Sequence, residues 1–431
     1  MGSHRLATQN VRAGPLTAGP LIIIGLAVLV VCFLAVRAST RAVVGVGTDA
    51  ELDSALQHAT GGETIVLRPG VYGFHYLPKP YHSRVTIRGA KRHRVRVNGI
   101  STLDDATADA AAANVLITNL TISSHGEGRD TLRINRYSHN IEIAGVTITG
   151  GDRCIGINGS PYDRAMWPYN ITVRDSDLSG STSDLVQVAG GRNIVFQHNF
   201  IHDPVDNPDD HVDGIQSVAS DGLEIVANSF TEPAEGATGF NQAIILGRAD
   251  PFDDRLVVRN SYVANNLIYG WRGSGILLAG TADTRVVNNT AMSYSGQSGL
   301  VTVNKLPSTS GATAEAWHNT NLRIWNNIFN KAYKVRADTG PGPVFNSNNS
   351  VTEGSTPYGQ NSSAGDPGFL RPDGPGPDEY TLRYGGSAVD SGIVTPDGTT
   401  PRTDLDGFTH EGLPDIAEPG EYQRLPLLYG P

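Results

Sequence analysis

The 431-residue chain contains little cysteine and little lysine. Its two cysteines are Cys32, inside an apolar run near the N-terminus, and Cys154, so no disulfide can form within the rest of the chain. A hydrophobic core must therefore hold the fold together, and a chain of this length can bury one. Only five of the 33 basic residues are lysines, so arginine supplies most of the cationic side chains.

Basic residues are also fewer than acidic ones, with 33 lysines and arginines against 43 aspartates and glutamates. The formal net charge is -10 and the isoelectric point is about 5.6. Nucleic acids and anionic membrane surfaces favour basic partners, so this balance argues against both. We expect a monomer that binds neither nucleic acid nor an anionic surface.

Long apolar runs are absent except at residues 21–36, which read LIIIGLAVLVVCFLAV. Arg5 and Arg12 precede this run without any acidic residue, and small residues follow it, as is typical of an export signal. Cleavage behind the run would release the protein, whereas retention would leave a membrane anchor, since the run is almost long enough to span a bilayer. Residues 1–42 are thus predicted to be an export signal or membrane anchor with its flanks, which implies a secreted or cell-surface protein.

The chain does contain an internal repeat. A short phrase of alternating apolar residues about a polar corner recurs eight times between Asn114 and Phe329, as NVLITNLTI, NIEIAGVTI, NITVRDSDL, NIVFQHNFI, GLEIVANSF, RLVVRNSYV, RVVNNTAM and NLRIWNNIF. Between the copies lies a second strand family, which reads TLRI, CIGI, LVQV, GIQSV, AIIL, GILL and GLVTV. The period of two and the lack of helical periodicity predict three short strands per repeat, stacked into a β-solenoid.

The sequence resembles the right-handed parallel β-helix proteins of the pectate lyase superfamily. ELDSALQHATGGETIVLRPGVYGF (51–74) resembles the N-terminal cap and first coil of chondroitinase-B-like and related secreted proteins. DPGFLRPDGPGPDEYTLRYGGSAVD (366–390), with TDLDG and PDIAEPGEYQ behind it, is similar to their C-terminal tail. The resemblance implies an all-β fold, with parallel β-helix coils over 43–337 and a C-terminal coil and tail over 338–431. It implies no single activity, because the superfamily includes lyases, hydrolases, epimerases and non-catalytic adhesins.

Stacking the second strand family in register predicts columns of equivalent residues on neighbouring coils. Asp184 with Gln187, and Asp213 with Gln216, repeat one pattern, so equivalent side chains should lie roughly 4.8 Å apart. Two carboxylates that close bind a cation, share a proton or raise one another's pKa. Alternation counted from Ile215 instead turns Asp213 towards the core, where it would cap backbone amides. Both interpretations stay open.

The turn that leads into Asp213 is rich in acidic residues and reads IHDPVDNPDDHVDGIQ from residue 201. Asp209, Asp210 and Asp213 offer oxygen ligands at a close spacing that suits Ca²⁺, and His211 among them suits proton transfer. The same residue types, with two prolines, are also common in solvated turns. We predict a calcium site at these three aspartates, with a solvated turn as the alternative.

These residues favour an enzyme that acts on an acidic polysaccharide by β-elimination or C5 epimerisation. Either reaction neutralises a uronate carboxylate and then removes the C5 proton with a base. His211 is the predicted base, and Asp210 and Asp213 are predicted to assist it. Arg248, as a further catalytic residue, and Arg153 are predicted to hold the carboxylate. Other substrate-binding residues are predicted at Asp184, Gln187, Gln216, Gln242, Trp271 and Arg272.

Two other functions stay open. A glycoside hydrolase would use two of Asp184, Asp210 and Asp213 as acid and base or nucleophile. A non-catalytic surface protein would use the same groove only to bind a polysaccharide. The reaction products separate these classes, since only a lyase forms an unsaturated uronate.

Overall fold

Short parallel strands wind the chain into a solenoid in the computed structural model of the protein. No helix among the described residues is long and apolar enough to cross a membrane, and the apolar run at 21–36 lies outside them. The described residues are 42–124, 128–205, 212–231, 242–247, 257–271, 273–292, 298–304, 319–330, 334–337, 344–347, 350–351, 361–369, 380, 382–383, 388 and 391–393.

The first sheet is formed by the repeated phrase. Asn114, Asn140, Asn170 and Asn193 begin or precede successive copies in the left-handed region, with φ between 51° and 61°, which asparagine tolerates better than most residues. The side-chain amides of the last three each donate to the asparagine one coil before, at 3.0 to 3.1 Å, and that of Asn114 donates to the Tyr81 carbonyl at 2.7 Å. The strands are β1 (Val43–Val46), β2 (Thr64–Leu67), β4 (Pro80–Gly89), β6 (Ala113–Thr118), β9 (His139–Ala144), β12 (Tyr169–Arg174), the second halves of β14 (Val186–Gln197) and β16 (Ile215–Val226), β19 (Val258–Arg259), β20 (Tyr262–Ala264), β23 (Thr281–Ala282), β24 (Arg285–Val287), β27 (Leu322–Trp325) and β30 (Val344–Ser347).

The second sheet follows the polar corner inside each repeated phrase. Its inward residues stack in register, as Ile148, Leu178, Ile201 and Phe230 do on successive coils, and all four are fully buried. The strands are the first halves of β3 (Gly70–Leu77) and β5 (Val95–Thr102), then β7 (Thr121–Ser124), β10 (Thr147–Gly150), β13 (Asp177–Ser179), β15 (Phe200–His202), β17 (Ser229–Thr231), β21 (Leu267–Tyr269), β25 (Thr290–Met292), β28 (Ile328–Phe329), β31 (Ser350–Val351) and β32 (Ser363–Ala364).

The third sheet is the second strand family predicted from the sequence. Cys154 lies beside it in the core, where burial raises the pKa of the thiol to about 12, so this cysteine is not a reactive nucleophile. The strands are the second halves of β3 and β5, then β8 (Leu132–Asn135), β11 (Ile155–Asn158), the first halves of β14 and β16, then β18 (Gln242–Gly247), β22 (Ser274–Ala279), β26 (Leu300–Asn304) and β29 (Lys334–Ala337).

Buried asparagines form the corner between the first and second sheets. Asn228 is fully buried, and its Oδ1 accepts the backbone N–H of Asn199 at 3.0 Å and the side-chain Nδ2–H at 2.9 Å. Its own backbone N–H donates to Oδ1 of Asn266 on the next coil at 3.0 Å. Asn289 and Asn327 extend the same ladder. Each coil thus satisfies the corner amides of the coil before it.

The described residues include one α-helix, α1 (Asp49–His58), which packs at the N-terminal end of the solenoid. The Thr48 hydroxyl caps it by accepting the backbone N–H of Glu51 at 3.2 Å, as expected of an N-cap threonine. Leu52 and Leu56 are buried against the core. The short 3₁₀ helices Arg92–Arg94 and Arg164–Met166 lie in turns.

His202 lies on the outer face of the second sheet between two carboxylates. Its Nδ1 is 2.8 Å from Asp203 and its Nε2 is 3.2 Å from Asp177. Burial of the ring acts to lower the pKa of His202, but the hydrogen bonds and charges of Asp177 and Asp203 outweigh it, so the pKa is raised. A protonated His202 therefore ties neighbouring coils together.

The folded-state pKa of His202 lies above the unfolded value, so its contribution to stability is fully present below about pH 6.5 and is lost as the pH rises through the folded pKa. We expect His202→Gln to lower the free energy of unfolding more at about pH 5.5 than at about pH 8.5. Chemical denaturation at both pH values measures this, with the exposed His82→Gln as control. An equal loss at both pH values in the His202 variant would contradict the interpretation.

Candidate functional site

The outer face of the third sheet carries a polar strip over a few coils. Strand pairing aligns Arg133, Gly156, Gln187, Gln216 and Ile245 in one column, which is the register predicted from the sequence. The glutamines are half-buried, whereas the side chain of Ile245 is almost completely buried. This polar stretch therefore ends at Gln216, and Ile245, Leu277 and Val301 follow in the column before Lys334.

The two glutamines are fixed by hydrogen bonds along the strip. Gln187 Nε2 donates to Gln216 Oε1 at 2.9 Å and lies 3.3 Å from Asp184 Oδ2. Gln216 Nε2 lies 3.4 Å from Asp213 Oδ2 in the same way. The pattern of an aspartate three residues before a glutamine thus orients both amides on the outer face.

Asp184 and Asp213 themselves face the corner. Asp184 Oδ1 accepts the backbone N–H of Asp213 at 3.0 Å, and Asp213 Oδ1 accepts the backbone N–H of Gln242 at 2.7 Å. Their exposed fractions are 2% and 0%, so neither carboxylate is open to a substrate in this structure. The geometry matches the amide-capping interpretation of Asp213 that the alternation from Ile215 suggested.

An arginine cluster lies at the start of the strip. The carboxylate of Asp130 lies 3.2 Å from Arg153 Nη1, 3.3 Å from Asn158 Nδ2 and 3.7 Å from Arg133 Nε. Arg133 also lies 3.5 Å from Asp104. The side chain of Arg133 is 44% exposed and that of Arg153 is 28% exposed, whereas that of Asp130 is 7% exposed. The guanidinium groups therefore face solvent and the carboxylate does not.

The turn after β11 folds across neighbouring coils beside the strip. Trp167 is almost fully buried in a small cluster with Ala219, separate from the main core, and its Nε1–H donates to the Ser160 carbonyl at 2.6 Å. A Cβ on Gly190 would lie 2.7 Å from this indole nitrogen, so the ring needs a glycine on the next coil. Arg164 lies over the Trp167 ring. The turn therefore forms a fixed wall.

The position of this wall follows from the strands that it crosses. Arg164 forms an ion pair with Asp221, which lies in β16, two coils on from the turn. Gly190 is three residues after Gln187 in the same strand, a separation of roughly 10 Å. Tyr162 is half-exposed on the turn. The turn thus packs against Gly190, roughly 10 Å along the strand from Gln187 of the strip.

The placement of Trp271 differs from the predicted stacking role, whereas that of Gln242 leaves its predicted role untested. The Trp271 indole is fully buried among the main core residues, so it does not offer a face for stacking on a sugar. Gln242 begins β18 with a half-buried side chain, and its contact with Asp213 is made by the backbone N–H. Aromatic residues in turns often anchor the chain, and Trp271 does so here.

Several predicted site residues lie outside the described residues, namely Asp209, Asp210, His211, Arg248 and Arg272. Within the described part of the chain, no group of three or more His, Cys, Asp or Glu side chains could hold a metal ion. The roles predicted for these residues, including calcium binding, stay predictions. Of the three aspartates predicted to bind calcium, Asp213 lies within the described residues. Its carboxylate accepts a hydrogen bond from the backbone N–H of Gln242 at the corner.

Comparison with known proteins shows the fold of the chain. No family model matches, and no curated protein matches either. Among solved structures, the complex of XylC with xylose aligns with a TM-score of 0.54 at 10% identity, over 88% of this chain and 98% of that one. Two further structures align. One is the PL6 family polysaccharide lyase Pedsa3628 from Pseudopedobacter saltans, with a TM-score of 0.47 at 13% identity, over 88% of this chain and 99% of that one. The other is the A-module of the Azotobacter vinelandii mannuronan C-5 epimerase AlgE4, with a TM-score of 0.45 at 15% identity, over 76% of this chain and 96% of that one. The predicted parallel β-helix is confirmed, and identities this low define the fold alone.

The buried, amide-capping position of Asp213 leads to a test of its role. We expect Asp213→Asn to lower the free energy of unfolding by about 1 to 3 kcal/mol, because the new amide faces the Gln216 amide where an acceptor is needed. Chemical denaturation measures the loss, and turnover per folded molecule should be retained. The exposed Asp105→Asn serves as control and should change neither quantity. Loss of turnover at unchanged stability would restore Asp213 as a catalytic residue.

The wall gives a second test. Trp167→Ala should open the turn locally, because truncating a buried tryptophan costs about 3 to 5 kcal/mol. Limited trypsin digestion followed by mass spectrometry should then show faster cleavage after Arg164. Tyr162→Ala is the matched control on the same turn and should leave the cleavage rate unchanged, since its ring is half-exposed. If Trp167→Ala resists trypsin as the wild type does, the indole does not hold the wall.

Proposed function

We propose that the protein is an exported, carbohydrate-active β-helix enzyme that binds an acidic polysaccharide along the outer face of its third sheet. The proposed reaction is β-elimination, or the related C5 epimerisation, at a uronic acid residue. The observation that carries the proposal is the strip itself, in which exposed guanidinium groups and oriented amides lie beside a fixed wall. Guanidinium groups bind carboxylates in bidentate geometry, which suits a chain of uronates.

The chemistry needs two functions from the protein. The negative charge that develops on the uronate carboxylate must be stabilised, and Arg153 with the amides of Gln187 and Gln216 is assigned to this task. A base must remove the C5 proton, and His211 is assigned to it because only Val212 separates it in sequence from Asp213 at the end of the strip. Arg248, which directly follows β18 in sequence, is assigned as a second carboxylate ligand.

We assign calcium no step in this reaction. Asp213, one of the three proposed ligands, turns its carboxylate to the backbone of the next coil, where it is fully buried. This carboxylate is therefore not open to a cation from solvent in this structure. The arginines supply the positive charge that the reaction needs.

A glycoside hydrolase is the weaker alternative. It needs two carboxyl groups on either side of the glycosidic bond. Asp184 and Asp213 are buried at 2% and 0% exposure and accept backbone N–H groups, which leaves neither positioned for acid or base catalysis. A purely binding protein would use the same strip, and the assay below separates it from an enzyme.

The test is a panel of alginate, polygalacturonate, chondroitin sulfate and neutral xylan incubated with the purified protein. We expect ultraviolet absorbance of an unsaturated uronate, or a changed C5 configuration by proton NMR, with at least one acidic polymer. Arg153→Ala should reduce this activity by about 10² or more, because it removes a charge that stabilises the transition state. Arg174→Ala is the control, since Arg174 pairs with Glu142 on the first sheet, away from the strip.

Three outcomes would contradict the proposal. Reducing ends without absorbance would indicate a hydrolase, and binding without turnover would indicate a surface binding protein. Activity on xylan alone would remove the role given to the arginines. Repeating the assay with a chelator tests the calcium prediction in the same experiment, because unchanged activity excludes a required calcium ion.

A further inference from the structure

Asp130 occupies the same corner column as Asp184 and Asp213 but makes different contacts. The latter two accept backbone N–H groups of the following coil at 3.0 and 2.7 Å. The carboxylate of Asp130 instead meets side chains, with Arg153 Nη1 at 3.2 Å and Asn158 Nδ2 at 3.3 Å. It therefore lies along the outer face of the sheet, at the start of the strip.

The reason for this difference is Gly156 on the next coil. A Cβ at position 156 would lie 2.1 Å from Asp130 Oδ2 and 3.0 Å from Asn158 Nδ2. The next two coils carry Gln187 and Gln216 at this register, so a side chain fills the space that Gly156 leaves open. Glycine is required here for space, and it creates a notch that holds the Asp130 carboxylate.

The notch brings one carboxylate between two arginines. Arg133 Nε lies 3.7 Å and Arg153 Nη1 lies 3.2 Å from Asp130, whose side chain is only 7% exposed. Without this carboxylate the two guanidinium groups would repel one another and their side chains would take other rotamers. A guanidinium has five N–H donors, so an arginine held at one edge keeps donors for a ligand.

We infer that Asp130 is a positioning residue, which orients Arg133 and Arg153 towards the carboxylates of the acidic polysaccharide. Gly156 leaves the space, here called the notch, that the Asp130 carboxylate occupies. The inference rests on the proposed function for the identity of the ligand. Asp130 itself does not contact the substrate. It acts through the arginines, whose side chains are 44% and 28% exposed.

The first test measures the arginines without any substrate. Phenylglyoxal modifies accessible guanidinium groups, and mass spectrometry reports the rate at each site. Asp130→Asn should increase the rates at Arg133 and Arg153 several-fold, because a neutral amide holds them less firmly. Asp175→Asn is the matched control, since Asp175 forms an ion pair with Arg174 on the first sheet. It should leave Arg133 and Arg153 unchanged.

The second test is a double-mutant cycle in melting temperature and in phenylglyoxal rates. Gly156→Ala should reproduce the effect of Asp130→Ala, because the new methyl group displaces the carboxylate, and the two changes together should do little more than either alone. Gly45→Ala is the control glycine, where a Cβ would meet nothing closer than 3.9 Å. Fully additive effects in the cycle would contradict the inference that Gly156 provides the space for the Asp130 carboxylate.

The third test uses the acidic polymer on which the wild type acts. Asp130→Asn should raise KM by about tenfold with a smaller change in kcat, since the arginines bind the ligand in the ground state as well. If the wild type is active while KM and the phenylglyoxal rates do not move in this variant, the inference is wrong and the proposed function stands. If the wild type acts on no acidic polymer, the proposed function fails, and the first two tests alone decide whether Asp130 positions the arginines.

Discussion

The solenoid depends on how the chain turns a corner without leaving backbone amides unpaired. At the corner between the first and second sheets, the buried Asn228 accepts the backbone N–H of Asn199 and donates to the Phe196 carbonyl of the same earlier coil at 2.9 Å. An unpaired buried amide costs about 1 to 3 kcal/mol, and a shift of one residue would leave several unpaired. Asn266 repeats the arrangement on the next coil, where it accepts the backbone N–H of Asn228 and donates to the Ile225 carbonyl. The ladder thus fixes the register of the coils.

The fixed register determines which residues of successive coils lie side by side on the surface. Once the coils are held at one spacing, residues 23, 31 or 29 positions apart become neighbours. Each member of the third-sheet column thus lies beside the next, in the order Arg133, Gly156, Gln187, Gln216 and Ile245. Apart from Gly156, the column is polar from Arg133 to Gln216, and three aliphatic residues, Ile245, Leu277 and Val301, separate this stretch from Lys334 further along. The scaffold is uniform, so the place where the column changes character marks the candidate site.

Much of this could be predicted from the sequence because the periods are regular. Alternation gave the inward and outward residues of the third sheet, and the repeated aspartate and glutamine pattern gave the contact between Gln187 and Gln216. Trp271 shows where such prediction stops. It precedes β22 in a turn, where the period of two no longer applies, and only the packed structure shows that its ring enters the core.

The aspartates of the corner column show a second limit. Asp184 and Asp130 have the same residue type and the same position in the coil, yet one caps a backbone amide and the other lies on the outer face between arginines. The choice depends on the outward residue one coil later, which is Gln216 beyond Asp184 and Gly156 beyond Asp130. No pattern within a single coil contains that information. In a stacked fold a site is therefore specified by residues one repeat apart, and a coil acquires new chemistry only when its neighbour makes room for it.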